Sequence, residues 1–216
     1  MSSPIDLRSA YGVADVLNVT FRLLRARWRI FLKAVFYFGA PPLVLGFGAF
    51  AVGMVSFGLQ LGESSVPTPG AIGGMIVGVG LGGLLLMIGG ALALSGALAV
   101  VRLYDERNGA SFDLADVWPI AKSSALGVLG IQILQGLALM ILVPVAVIPC
   151  LGWIAFAAWG VFVTVRYFYL AIPVRVIEGQ SAFGSISRAG SLVKGAFWET
   201  AGIFIVAYVV QTILGS

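Results

Sequence analysis

Two long stretches without charge dominate this sequence. From Ala34 to Val101 the one charged residue is Glu63, and from Ser123 to Val165 there is none. Over the whole chain 60% of the residues are apolar and 10% are charged, whereas a soluble domain typically carries about 25% charged residues. Too few polar side chains remain to cover a water-facing surface. The sequence therefore predicts an integral membrane protein.

The lengths of the apolar stretches indicate how often the chain crosses the bilayer. A hydrocarbon core about 30 Å thick is spanned by roughly 20 helical residues, so each stretch must fold into a helical hairpin. Turn-forming residues divide the first stretch at 61–70 and the second at 144–152. With a shorter apolar run near the C-terminus, we predict an all-α polytopic membrane helix bundle, a single domain over 1–216. Its five spans are expected near 34–59, 71–101, 124–143, 151–171 and 196–214.

The 13 lysines and arginines are distributed unevenly. They lie before residue 34, between residues 102 and 122, or between residues 166 and 194, and none lies in the two turns. Basic segments stay on the cytoplasmic side because they resist translocation. We therefore expect a cytoplasmic N-terminus, an outward-facing C-terminus and the inner membrane of a prokaryote, with an organelle membrane as the alternative. No cleavable signal peptide is expected, because the first apolar run is too long for one.

The segment before the first span has the pattern of an amphipathic helix at residues 12–32. Its apolar side chains recur at helical spacing, and Arg22, Arg25 and Arg29 lie on the opposite face. A basic amphipathic helix that carries a tryptophan is typical of the cytoplasmic headgroup layer. The three arginines are therefore predicted to contact anionic lipid headgroups or a partner. The alternative is an orientation anchor whose arginines extend to the headgroups.

Two further cytoplasmic surface helices are predicted, at 111–121 and 181–194. In the first, Ser111 is the expected N-cap, Phe112 is expected to face lipid, and Pro119 is expected to end or kink the helix. The second has an apolar face opposite a face with Arg188 and Lys194.

Two stretches resemble a known family. Ala14–Phe31 reads ADVLNVTFRLLRARWRIF, and a second stretch joins RYFYLAIPV from Arg166 to EGQSAFGSISRAGSLVKGAFW, which ends at Trp198. They are similar to prokaryotic multi-pass proteins resembling the membrane domain fused to some glycerophosphoryl diester phosphodiesterases. The resemblance implies architecture without hydrolysis, because that activity belongs to a separate soluble domain of the fused relatives. It also implies six spans, so the sixth is expected to be absent here or lost by truncation.

Five charged residues near the end of the chain are candidates for an intramembrane or interfacial network. Arg166 is expected about five residues inside the fourth span, where a charge is usually paired or near water. It either binds a lipid phosphate or another anion, or it extends to the headgroups or pairs with Glu178 or Glu199. For Glu199, one turn into the last span, the expected partners are Arg188 and Lys194.

Glycines recur every four residues at the start of the second span, at Gly70, Gly74, Gly78 and Gly82. Small residues at this spacing allow two helix backbones to approach closely. This face is predicted to pack within the chain or, alternatively, against a second copy or another membrane protein.

The residue inventory restricts the chemistry. The chain has no histidine and one cysteine, Cys150, so we predict no catalytic residues, metal site, cofactor or disulfide, and an inert thiol at Cys150. The basic residues that give the net charge of +4 lie on the membrane-flanking segments, so we expect no nucleic acid to bind. We predict a non-enzymatic accessory, scaffold or assembly subunit that contacts lipids and a membrane protein partner or a second copy. The alternative is a small transporter, channel or lipid-handling protein.

Overall fold

In a computed structural model, the described residues are 13–63, 68–141, 143–146, 148 and 151–215, and their regular secondary structure is entirely helical. The all-α class is therefore confirmed. Among these residues four helices are long and apolar enough to cross a membrane, or five if one bent pair counts as a span. The helices are α1 (Val13–Ala34), α2 (Ala40–Glu63), α3 (Pro69–Glu106), α4 (Leu114–Met140), α5 (Val143–Ala146), α6 (Leu151–Val163), α7 (Ala171–Ile177), α8 (Ala182–Val193) and α9 (Phe197–Gly215).

Two short π-helical segments join neighbouring helices, π1 (Val35–Gly39) between α1 and α2 and π2 (Thr164–Phe168) before α7. Each lies shortly before proline, which cannot donate a backbone hydrogen bond and whose ring clashes with the carbonyl four residues earlier. Pro41 and Pro42 therefore disturb the carbonyls of Tyr37 and Phe38 inside π1. The wider π turn relieves this clash without ending the helix.

The first two long helices form an antiparallel hairpin. Gly53 of α2 faces Gly78 of α3, and further along the pair Gly46 faces Gly82. Thr68 caps α3, because its hydroxyl accepts a hydrogen bond from the Ala71 N–H at 3.2 Å, and Pro69 follows at the first helical position. Residues 64–67, in the predicted turn, lie outside the described part.

The buried residues are concentrated toward one end of the bundle. One cluster joins Leu23 of α1 to the last turns of α3 and to Phe112 and Val117 at the start of α4. A second, smaller cluster joins α3, α4 and α7. A third joins α4 with π2 and α8. We call this the basic end, because hydrogen bonds of Arg27, Arg102 and Arg175 join α1, the α3–α4 connection, α4 and the end of α7 there.

The prediction of a separate surface helix at 111–121 is wrong. Residues from Leu114 belong to the single helix α4, whose N-cap is Asp113 rather than Ser111. The Asp116 carboxylate accepts a hydrogen bond from the Asp113 N–H at 3.0 Å, which stabilises this first turn. Pro119 lies inside α4 and costs one hydrogen bond without ending the helix. Phe112 is buried in the core and does not face lipid.

Two helical paths extend beyond the predicted span boundaries, and the boundaries of the spans themselves stay predictions. The second span was expected to end at residue 101, but α3 runs on through Arg102 to Glu106 and is roughly 57 Å long at 1.5 Å per residue. The fourth was expected to end at residue 171, but its helical path continues through π2 and α7 to Ile177. Arg166 therefore lies about eleven residues before the end of this path rather than five.

The last part of the chain turns sharply. The Ser181 hydroxyl caps α8 by accepting a hydrogen bond from the Gly184 N–H at 3.2 Å. Helix α8 packs along α7 and π2, and it meets the following helix, α9, at an angle of 109°. The helix predicted at 181–194 is thus present, and its location at a membrane surface stays a prediction. In the predicted turn at 144–152, residues 147, 149 and 150 lie outside the described part. The inert thiol expected at Cys150 therefore stays a prediction.

Candidate functional site

The site with the most specific geometry is a set of three arginines at the basic end. The first is Arg27, whose backbone (φ −129°, ψ 19°) kinks α1. Its Nη2 donates hydrogen bonds to the backbone oxygens of Gly109 at 2.6 Å and Ala110 at 3.0 Å. Its guanidinium lies 6.0 Å from the ring centre of Tyr104 and 5.5 Å from that of Phe112. Arg27 thus fixes the N-terminal helix to the α3–α4 connection.

The backbone of that connection is shaped to receive Arg27. Asn108 and Gly109 have positive φ values of 49° and 78°. Glycine adopts this left-handed conformation without a steric penalty, and asparagine does so more easily than most residues. The chain reverses within these two residues, which turns the Gly109 and Ala110 carbonyls toward α1.

The second and third arginines connect the central helices. Arg102 donates from Nε to the Glu106 carboxylate at 2.8 Å and from Nη1 to the backbone oxygen of Val176 at 3.0 Å. Arg175 donates from Nη1 to the Gly179 oxygen at 3.1 Å and also to the Gln180 oxygen, and from Nη2 to the Ser123 oxygen at 3.3 Å. The bundle is therefore tied together across α3, α4 and α7.

A glycine makes room for Arg175. A β-carbon at Gly127 of α4 would overlap the Nε atom of Arg175, so this guanidinium lies directly against the α4 backbone. That Nε is buried without a hydrogen-bond partner. A side chain at residue 127 would displace the cation from the Ser123 carbonyl.

The three arginines share a physical role. Each donates to at least one backbone carbonyl at or just after the C-terminal end of a helix, where the orphan carbonyls and the negative end of the macrodipole favour a cation. The Ser123 carbonyl, which Arg175 also contacts, lies within α4. In the sequence these arginines contribute to the charge distribution that predicts topology, and no motif distinguishes them as a site. A signal exists for Arg27, since it shares one helical face with the apolar residues Leu23, Ile30 and Ala34.

Among the five predicted network residues, the structure brings one pair together. Arg188 and Glu178 approach to 3.6 Å between Nε and Oε2, and Gln180 also donates to that carboxylate at 3.0 Å. Lys194 and Glu199 are exposed and form no ion pair with described residues. The network as a whole stays a prediction.

Arg166 lies on π2 and is flanked by aromatic rings rather than by carboxylates of the described chain. Its guanidinium is 5.9 Å from the ring centre of Phe162 and 5.6 Å from that of Tyr167, and Nε lies 3.3 Å from the Tyr167 hydroxyl. At the same level Gln135 donates to the Thr164 hydroxyl at 3.5 Å. π-helical turns are frequent at functional sites, so Arg166 remains a candidate.

The predicted glycine face divides into two parts. Added β-carbons at Gly78 and Gly82 would lie 2.6 Å and 2.7 Å from backbone atoms of α2, so both glycines pack within the chain. At Gly74 nothing lies within 4 Å, and Gly70 has one neighbouring atom at 3.9 Å. The close contact of α3 with α2 and with the π1 segment before it, here called the glycine seam, includes these further glycines: Gly39, Gly46, Gly53, Gly89 and Gly96.

The predicted lipid-contact arginines, Arg22, Arg25 and Arg29, are all exposed on α1. Next to them lies a second exposed stripe, which is apolar and includes Phe21, Leu24, Trp28 and Leu32. The lipid contact itself stays a prediction.

No group of three or more potential metal-ligating side chains occurs within the residues that the structure describes. The positions gathered at the basic end are instead arginines bound to carbonyl groups. Comparisons of the chain with protein-family models, with curated proteins and with solved structures find no match, and the family resemblance stays a prediction.

Proposed function

We propose that this protein is a non-enzymatic integral membrane scaffold or accessory subunit that binds another membrane protein, or a second copy of itself, through helix α6. The observation that carries the proposal is the surface of α6. Among its thirteen residues only Gly152 and Val163 are buried, and Leu151, Trp153 and Ile154 are all more than 60% exposed. The helix presents a broad apolar face that the described part of its own chain leaves uncovered.

The other helices support this function because their positions relative to one another are fixed. The arginine–carbonyl bonds and the glycine seam fix α1, α2, α3, α4 and α7 relative to one another. In a bilayer apolar side chains gain little by leaving lipid, so a stable helix contact needs a shape that is fixed in advance. A rigid frame that presents α6 meets this requirement.

Site-specific photocrosslinking in native membranes tests the proposal. A photoreactive amino acid replaces Ile154 of α6, and a matched control replaces Val52 of α2, since both side chains are 67% exposed. Protein adducts are expected from residue 154 in clear excess over residue 52. An adduct of twice the chain mass identifies a second copy, and any other mass identifies a different partner. Lipid adducts alone from both positions would contradict the proposal.

We further propose that the basic end faces the cytoplasm in a prokaryotic inner membrane, with an outward C-terminus. The support is the clustering of the basic segments at one end of the bundle, together with the positive-inside rule. Single cysteines at Ser111 and Ser65, in a Cys150→Ser background, test this with a membrane-impermeant thiol reagent. We expect labelling of Ser65→Cys in intact cells and of Ser111→Cys after lysis. Labelling of both from one side would refute the arrangement.

A lipid-handling function is the second candidate. The observation that favours it is an open apolar groove of about 520 Å³ on α2 and π1, within the size range of ligand sites. Vesicles that contain the protein and a fluorescent phospholipid would then show faster lipid movement between leaflets than protein-free vesicles. Equal rates would exclude this candidate and leave the scaffold proposal intact.

A further inference from the structure

We propose that the junction of α1, π1 and α2 is a binding site for one anionic phospholipid. The acyl chains lie in apolar grooves beside Tyr37 and Pro41, and the headgroup phosphate contacts Lys33 and Arg29. This site goes beyond the scaffold proposal and stands whether or not α6 binds a partner.

Two grooves lie on either side of the same ridge. The larger, about 520 Å³, is lined entirely by α2 and π1 side chains, and the smaller, about 400 Å³, also involves α4. Tyr37 and Pro41 line both grooves and form the ridge between them. The larger groove is lined by Phe36, Tyr37, Ala40, Pro41, Val44 and Leu45.

The π segment and the two prolines create this shape. The wider π turn displaces Phe36 and Tyr37 outward, where they are 63% and 69% exposed. Ala40 and Pro41 follow with compact side chains. A depression beside a tall aromatic ridge results on an otherwise regular helix surface.

The helix that precedes the larger groove in the sequence, α1, carries four exposed cations. Arg29 and Lys33 lie four residues apart after the kink at Arg27, so they form a stripe on one face of α1, and Arg22 and Arg25 lie three residues apart before the kink. All four are exposed, and none forms an ion pair with a described residue. Lys33 lies four residues before Tyr37 and is the last cation before the larger groove in the sequence.

The order of these features along one helix matches the chemistry of a phospholipid. A charged stripe ends where two neighbouring apolar grooves begin, as an anionic headgroup is followed by two acyl chains. Trp118 in the smaller groove packs against Phe38 in a tilted arrangement, with 4.8 Å between ring centres, and tryptophan is enriched at the headgroup level of membranes. A free anion would match only the cations and leave both grooves unused.

Native mass spectrometry of the delipidated full chain in mild detergent tests the site. The probes are phosphatidylglycerol and, as a zwitterionic comparison, phosphatidylcholine. Val44→Trp fills the larger groove, and Val52→Trp is the matched control on the same helix, because the two valines are 68% and 67% exposed. We expect Val44→Trp to reduce one-to-one binding of phosphatidylglycerol at least fivefold and Val52→Trp to leave it unchanged. Equal binding by both variants would overturn the proposal.

A charge variant separates the headgroup contact from the acyl-chain contact. Lys33→Gln is compared with Lys194→Gln, which removes an exposed cation from the C-terminus of α8. A cation at a membrane surface contributes about fivefold to binding of anionic lipid. We expect Lys33→Gln to lower the preference for phosphatidylglycerol over phosphatidylcholine by about fivefold and Lys194→Gln to preserve it.

Inorganic phosphate distinguishes a lipid site from a simple anion site. Millimolar phosphate is expected to leave bound phosphatidylglycerol in place, because the acyl chains hold it. Displacement of the lipid by phosphate, or equal preferences in the two lysine variants, would overturn the proposal.

Discussion

Substitution of Gly78 by alanine tests the glycine seam between α2 and α3. A β-carbon at residue 78 would lie 2.6 Å from the Gly53 Cα and 3.0 Å from both the Ala49 oxygen and the Gly53 nitrogen. These are backbone atoms, so no side-chain rotation relieves the overlap. Ordinary van der Waals contact begins at 3.4 Å, and the two helices must therefore separate by about 0.8 Å at this point.

The cost follows from that separation. A gap of about 0.5–1 Å forfeits a quarter to a half of the attraction between contacting atoms, and overpacking of this kind costs about 1–3 kcal/mol. Alanine also favours a helix over glycine by about 1 kcal/mol. Gly74→Ala shares this gain but has nothing within 4 Å, so it is the matched control. The free energy of unfolding of Gly78→Ala should be about 1–3 kcal/mol below that of Gly74→Ala.

Thermal unfolding in mild detergent, followed by circular dichroism, measures the difference. For a chain of this size each kcal/mol corresponds to about 2–4 °C, so the Tm of Gly78→Ala should be about 2–12 °C lower than that of Gly74→Ala. Equal Tm values for the two variants would refute the close backbone contact at the seam.

Three further predictions concern the basic end. Arg27→Met, which keeps the apolar stem and removes the hydrogen bonds to the α3–α4 connection, should lower stability by about 1–3 kcal/mol, whereas the exposed control Arg25→Met should not change the Tm. Gly109→Ala should cost about 1–2 kcal/mol because alanine disfavours a left-handed backbone; an unchanged Tm would contradict the φ value of 78°. The exposed pair Glu178–Arg188 should show a coupling energy below about 1 kcal/mol in a double-mutant cycle, and the coupling should disappear in 1 M salt; a larger, salt-resistant value would contradict an exposed pair.

Much of the helical pattern was predictable from hydropathy and turn residues. The long charge-free stretches contain the predicted hairpins because a chain in lipid must satisfy its backbone groups within each helix. The errors fall where polar residues continue a helix. The second span was expected to end near residue 101, but arginine and glutamate are good helix formers, and the Arg102–Glu106 pair at i, i+4 stabilises the last turn of α3. Hydropathy locates the end of an apolar run, and a helix can continue beyond it.

The arginine contacts could not be predicted from the sequence. Apart from the apolar face that Arg27 shares, no sequence pattern distinguishes Arg27, Arg102 and Arg175 from the exposed arginines. Most of their acceptors are backbone carbonyls, which any residue supplies. Arg27 and its acceptors are separated by 82 and 83 residues, so only the packing of α1 on α3 brings them together. The distribution of charge along the sequence places these three arginines on the basic segments. It does not distinguish the arginines that hold the bundle together from those that face outward.

The glycine pattern shows a related limit and links the fold to the proposed function. Within α3 alone, glycines four residues apart suggested a face at Gly70 to Gly82. Packing against α2 involves only the later members and continues to Gly89, and seven residues further on Gly96 packs against Phe38 of π1 and Ala34 of α1. The seam therefore extends from the apolar half of α3 into the basic end, where Arg102 and Arg175 tie α3 and α4 to the end of α7. Contacts of these two kinds do not require apolar side chains to leave lipid, so they can hold the frame while large apolar side chains stay exposed. That separation of roles is what a membrane scaffold needs, because the side chains that bind a partner are then not the ones that maintain the fold.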